Sequence, residues 1–265
     1  MTEYIGRYDK FMKLLAENGY IAFGYDHLGH GHTVNDDSEL GFIAEHNGDD
    51  LLARDVKAFA DAIKEEYGEH PYYLMGHSMG SFVVRMATQK YITPDKLIIM
   101  GTGGPKGIVV FGLFLSFIIQ KIKGPKYYSN LVKFLAFGSY NARCPKSEGP
   151  HAWLTTDEKV RNTYHNDKFC TFELTISAMH DIIYLTYKAN RNEWFKSVAK
   201  KMPILLISGE DDVVGNYGKG VRTCEKKLKE NGADVTMKLY KGYRHEILND
   251  SSFDMTVKDI LNFIE

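Results

Sequence analysis

The sequence predicts an α/β fold, a mostly parallel sheet with helices on both faces and a helical cap inserted over it. Three observations carry this. Short apolar runs alternate with helix-like periodicity near both ends of the chain. Such alternation implies parallel strands covered on both sides. Near the first third, a strand-like run enters a helix-like run directly through Gly76-His77-Ser78-Met79-Gly80. In the middle, residues 106–202 break the rhythm with an aromatic-rich stretch too long for a plain loop.

From Arg7 to Asn18, Tyr8, Phe11, Met12 and Leu15 recur at helical spacing, and Gly19 stands where a left-handed cap belongs. Tyr20 to Asp26 reads as a short buried strand. Asp49 and Asp50 open a helix with Leu52, Val56, Phe59, Ile63 and Tyr67 on one face. Tyr72 to Met75 is the next strand, Ser81 to Tyr91 a helix, and Lys96 to Met100 a strand. After the middle stretch, Pro203 to Ser208 is a strand and Tyr217 to Asn231 a helix. Val235, Met237 and Leu239 alternate as a strand, and Phe253, Val257, Ile260 and Leu261 mark a last helix. The organisation expected is a core of residues 1–105 and 203–265, with residues 106–202 as the cap. Gly107 to Ile119, the most apolar run, is either a cap helix facing a lipophilic substrate or a buried helix.

The 265 residues are 44 % hydrophobic and 25 % charged, ordinary for a globular protein with a sizeable core. The formal net charge of −1 supplies no global field for nucleic acid or an anionic membrane. Cys144, Cys170 and Cys224 are odd in number and widely spaced, which suits a reducing compartment better than a disulfide framework. The polar opening, MTEYIGRYDK, is not a signal peptide, and 13 apolar residues cannot span a bilayer. A cytoplasmic protein with no integral membrane segment is expected. His27, His30 and His32 invite a metal reading, but no further ligand at suitable spacing accompanies them. No metal and no cofactor are expected.

G-x-S-x-G between a strand and a helix is the pattern of a nucleophile elbow. The sharp turn holds the serine in a strained conformation, and side chains at Gly76 or Gly80 are expected to collide with neighbouring backbone. The helix after it directs its first amides to where negative charge develops. The pentapeptide alone is weak, since a chain of this length shows one by chance roughly one time in ten. A serine also needs a base, and the base an orienting acid. Asp211 and Asp212 follow the strand Pro203 to Ser208, and His245 follows the strand ending at Tyr240. The order Ser, Asp, His, each after its own strand, suits an active site at the C-terminal ends of a parallel sheet.

With these residues in place, the chain resembles the lysophospholipase and monoacylglycerol lipase-like α/β-hydrolases, grouped with serine aminopeptidase-type enzymes. The resemblance rests on GRYDKFMKLLAENGY, DHLGHG, GHSMG, GTGGP, GEDDVVGNYGKGV and RHEILND, and runs over essentially the whole chain. It implies the α/β-hydrolase fold, Ser78 as nucleophile, His245 as base, and Asp212 as the acid with Asp211 as runner-up. It implies an oxyanion amide at Met79 and a helical cap shaping an acyl or alcohol pocket. The substrate implied is a small lipophilic ester, a monoacylglycerol or lysophospholipid. An aminopeptidase or amidase with the same triad is the alternative, as is a non-catalytic protein of the same fold. Leu28, His32-Thr33 and Val213 depart from the family pattern and bear on substrate preference rather than on the triad.

Laid on that pattern, Met1 falls at the other oxyanion position, immediately after a His-Gly pair that this sequence does not contain. The expectation is an N-terminally shortened, poorly active form that lacks a central strand and two edge strands. The strands at 20–26 and 72–75 would then leave a gap or pair directly, and the Met1 α-amino group would stand in for the missing amide.

Overall fold

The computed structural model describes residues 1–198 and 200–265. A turn of 3-10 helix leads into α1 (Asp9–Glu17), which ends before Gly19 at φ +84°. Next comes α2 (Gly48–Tyr67), with Asp49 and Asp50 in its first turn, where carboxylates complement the helix dipole. Then β1 (Tyr73–His77), α3 (Met79–Lys90) and β2 (Lys96–Met100) follow. The stretch to the next strand is helical: α4 (Ile108–Lys123), α5 (Asn130–Phe137), α6 (Glu158–Asn166), α7 (Lys168–Thr171), α8 (Ile176–Ala189) and α9 (Asn192–Val198). The chain closes with β3 (Ile204–Gly209), α10 (Lys219–Glu230), β4 (Val235–Tyr240) and α11 (Phe253–Ile264).

The four strands form one parallel sheet in the order β1-β2-β3-β4. Alternate strand residues serve opposite layers. Leu97, Ile99, Ile204 and Leu206 pack with Leu52, Val83, Leu185, Trp194 and Val221 on one face. Ile98, Met100, Leu205 and Ile207 pack with Phe11, Phe253, Val257 and Ile260 on the other. Each fully buried aliphatic side chain contributes about 1.5–3 kcal/mol, so a continuous apolar strand needs both helix layers. Ala178, Leu185 and Ala189 of α8 and Trp194, Phe195 and Val198 of α9 join the first layer, so the helical stretch returns to the core before β3 begins.

Two expectations are corrected. Residues 20–26 carry no ladder, so they are not a strand of the sheet. The carbonyl of Tyr72 and the amide of Ser78 bond toward β2, to Asp95 and Met100. The other edge of β1 faces a cavity of about 820 Å³ whose far wall is residues 20–27. The segment is held by side chains instead: Phe23 and Tyr25 pack on Phe59, and Phe23 stacks on Tyr72. Residues 20–26 and β1 do not pair directly. The buried-helix reading of 107–119 also fails. In α4 only Ser116 is buried, and Phe111, Phe114 and Phe117 are exposed.

Candidate active site

Ser78 sits between β1 and α3 at φ +54° and ψ −120°, a left-handed conformation that a side chain tolerates only under constraint. The constraints are visible. The Ser78 amide donates to the Met100 carbonyl at 3.0 Å, and the Ser78 carbonyl accepts from the amide and hydroxyl of Ser81. A Cβ at Gly76 would lie 2.3 Å from the Gly80 carbonyl oxygen, so glycine is required there. Gly80 differs from expectation: its nearest neighbour would be His27 Nε2 at 3.9 Å, ordinary contact. The amide of Met79 opens α3 beside the serine.

Asp212 and His245 are both buried, and His245 Nδ1 lies 2.8 Å from Asp212 Oδ2. The carboxylate is fixed from other directions too. Ser208 Oγ donates to Oδ2 at 3.2 Å and the Val214 amide to Oδ1 at 2.8 Å. Burial works to lower the His245 pKa, but the charge and hydrogen bond of Asp212, with Glu246 and Glu3 behind it, hold it above its ordinary value. The other imidazole nitrogen, Nε2, is buried and has no hydrogen-bond partner among the described residues, so the link to the Ser78 hydroxyl is open. Such bonds commonly close only when substrate is bound. Asp211 is exposed, and its amide donates to the Tyr243 carbonyl. Asp212, not Asp211, meets the histidine.

Met1 lines the same cavity as Met79, Gly80 and His27 and packs against the main core. Burial pushes its α-amino pKa down, against the pull of Glu3 and Glu246. His30 is buried and His27 partly so, and both are held neutral, with pKa pushed to about 3 and about 4 by desolvation and then by the nearby amino terminus. His32 packs on Phe169 instead of joining them, and no three donor side chains converge as a metal site among the described residues.

The chain matches the serine aminopeptidase S33 family over residues 1–252. It belongs to that family. A carboxyl esterase from Bacillus coagulans, 27 % identical, superposes with a TM-score of 0.94 over all of this chain and 86 % of its own. A monoglyceride lipase from Saccharomyces cerevisiae, 21 % identical, gives 0.75 over all of this chain and 83 % of its own, which establishes the shared α/β-hydrolase fold. Mouse monoglyceride lipase is 32 % identical over 81 residues, 31 % of this chain and 25 % of that protein. The chain thus spans about a quarter of the length of the mouse, rat and human monoglyceride lipases that it matches.

In this S33-family chain, the structure adds residues around His245 that sequence reasoning missed. Arg7 grips Glu246 with two hydrogen bonds, 2.7 and 2.5 Å, and bonds Glu3 at 2.7 Å. His77 Nε2 donates to the His245 carbonyl at 3.1 Å, and Tyr8 Oη lies 2.7 Å from His77 Nδ1. The Trp153 ring lies 5.0 Å from the imidazole, on a loop tied to the histidine loop by Glu246 N to Leu154 O and Arg244 Nη1 to Ala152 O. The only sequence signals were adjacency, with His77 inside the elbow motif and Glu246 beside the histidine.

Proposed function

We propose that this protein is a serine hydrolase of carboxylic esters that works through an acyl-enzyme, with monoacylglycerols or lysophospholipids as its substrate class. The observation that carries the reading is the buried His245–Asp212 pair at 2.8 Å, set at the same end of the sheet as a strained elbow serine. Ser78 Oγ attacks the acyl carbon while His245 Nε2 takes its proton. Asp212 accepts the Nδ1 hydrogen, which fixes the tautomer and stabilises the imidazolium. The Met79 amide donates to the oxyanion, a role typically worth about 10²–10³ in turnover. His245 then protonates the leaving alcohol, and water resolves the acyl-enzyme. Residues 106–202 act as the cap in this reading. Relatives described as esterase and monoglyceride lipase favour an ester substrate.

The family description keeps an aminoacyl amide as the second reading. A panel of monoacylglycerols, lysophospholipids, short acetate esters and aminoacyl arylamides decides between them. Faster turnover of medium or long acyl esters than of acetates supports the proposal, and faster turnover of the arylamides refutes it.

A further inference from the structure

Trp153 stands in the irregular segment between α5 and α6, where no helix or strand holds it. It is half-buried, and its ring centre lies 5.0 Å from that of His245 with the two planes 40° apart. The contact is fixed in register on both sides. The residue before Trp153 is tied to the residue before His245, because Arg244 Nη1 donates to the Ala152 carbonyl at 2.7 Å. The residue after it is tied to the residue after the histidine, because the Glu246 amide donates to the Leu154 carbonyl at 2.9 Å. The Trp153 amide itself donates to Asn141 Oδ1 at 2.9 Å, and Tyr140 meets the indole edge-on at 4.9 Å. Ordering an irregular segment costs conformational entropy, so ties to four residues mark a placement that the fold maintains.

What the ring offers the imidazole is a π system. A cation within about 6 Å of an indole centre is attracted by the ring quadrupole, more strongly where water is excluded, and a neutral imidazole gains little from it. His245 is 2 % exposed, so little water competes for its charged form. The charges around it come from several elements. Asp212, after β3, takes the Nδ1 hydrogen, and Lys106, from the loop after β2, is within reach of the Asp212 charge. Glu246 is held by Arg7, Arg7 also holds Glu3, and Arg244 is paired with Glu148. His77, at the end of β1, has its ring centre 4.6 Å from that of His245 and keeps its nitrogens on Tyr8 and the His245 carbonyl.

We propose that Trp153 is a positioning residue for the proposed reaction, its indole stabilising the positive charge that His245 takes up with the Ser78 proton. The inference rests on the serine-hydrolase reading. A ring that only kept water away would act with the opposite sign. Removing such a cover hydrates the imidazolium and raises the His245 pKa, whereas removing a π system that holds the cation lowers it.

The test is the titration of His245 in the full chain, followed by NMR of labelled histidine and assigned by its loss in His245→Gln, together with the pH profile of kcat/KM on a monoacylglycerol. Trp153→Leu moves the titration and the kcat/KM inflection down by about 0.5–1 pH unit and lowers kcat/KM about three- to thirtyfold above the inflection. Trp153→Phe, which keeps a weaker π system, recovers about half of the shift. The ties at Ala152 and Leu154 are made by backbone carbonyls, so both variants keep the wild-type circular dichroism. A titration that stays or rises in Trp153→Leu, while the wild type hydrolyses the ester, overturns the proposal alone. So does a Trp153→Phe protein that matches Trp153→Leu in both readouts. A wild type that turns over no ester overturns the serine-hydrolase reading, and the catalytic use of the contact with it, whichever way the titration moves.

Discussion

Asp211 and Asp212 are neighbours in sequence and opposites in surroundings. Asp212 is 0 % exposed and meets His245, Ser208 and the Val214 amide, whereas Asp211 faces solvent. Asp212→Asn should therefore cost several orders of magnitude in kcat, because an amide cannot hold the imidazole in the required tautomer, and Asp211→Asn should cost less than about threefold. Steady-state kinetics on both variants checks the contrast. The pH profile follows from the same pair. In the proposed mechanism His245 is the base and must be neutral; its pKa is raised, so kcat/KM should fall as pH drops through a value above the ordinary histidine range of about 6.5. Asp212→Asn should move that inflection down. Asp212 was singled out by resemblance, with Asp211 as runner-up; which of the two side chains the turn after β3 directs inward is set by the fold, and it is Asp212 that reaches His245.

At the scale of elements, the elbow and the 20–26 segment show what local sequence can and cannot specify. Strand, glycine, serine, glycine and helix were all legible, because the constraint lies within five residues. The two glycines were not separable, since their difference depends on which backbone approaches them. Gly76→Ala should lower stability by about 1–3 kcal/mol or displace the elbow, while Gly80→Ala should change the thermal midpoint little. Thermal denaturation of the two variants tests this directly. Residues 20–26 have the composition of a buried strand, but a strand exists only through its ladder. The edge of β1 that would have offered one lies across a cavity of about 820 Å³. That separation is a property of the assembled sheet, invisible to a pattern search.

At the scale of the whole molecule, the first residues and the histidine loop form one buried polar assembly. Arg7, with Glu3 and Glu246, is far apart from its partner in sequence and nearly inaccessible in the fold. Without the Glu246 charge the buried Arg7 keeps only Glu3 as an ionic partner, so Glu246→Gln should cost about 1–3 kcal/mol, read as a drop in the urea midpoint. Stability should also depend on pH through His27 and His30. Their folded pKa values, about 4 and about 3, lie below the unfolded value of about 6.5. The unfolded chain therefore binds more protons as pH falls below about 6.5, and stability should decline steadily toward pH 4. A midpoint that stays level from pH 7 to pH 4 would contradict the burial of these imidazoles. Neither feature could be read from the sequence, where net charge and local motifs carry no record of which distant residues meet.

Ser78 is the proposed nucleophile, activated by His245 and Asp212. Intact-mass and peptide analysis after treatment with a fluorophosphonate tests it most directly. A single adduct on Ser78, absent in Ser78→Ala and formed far more slowly in His245→Ala, is the result expected. An unmodified protein, or an adduct on another residue with Ser78 untouched, would contradict it.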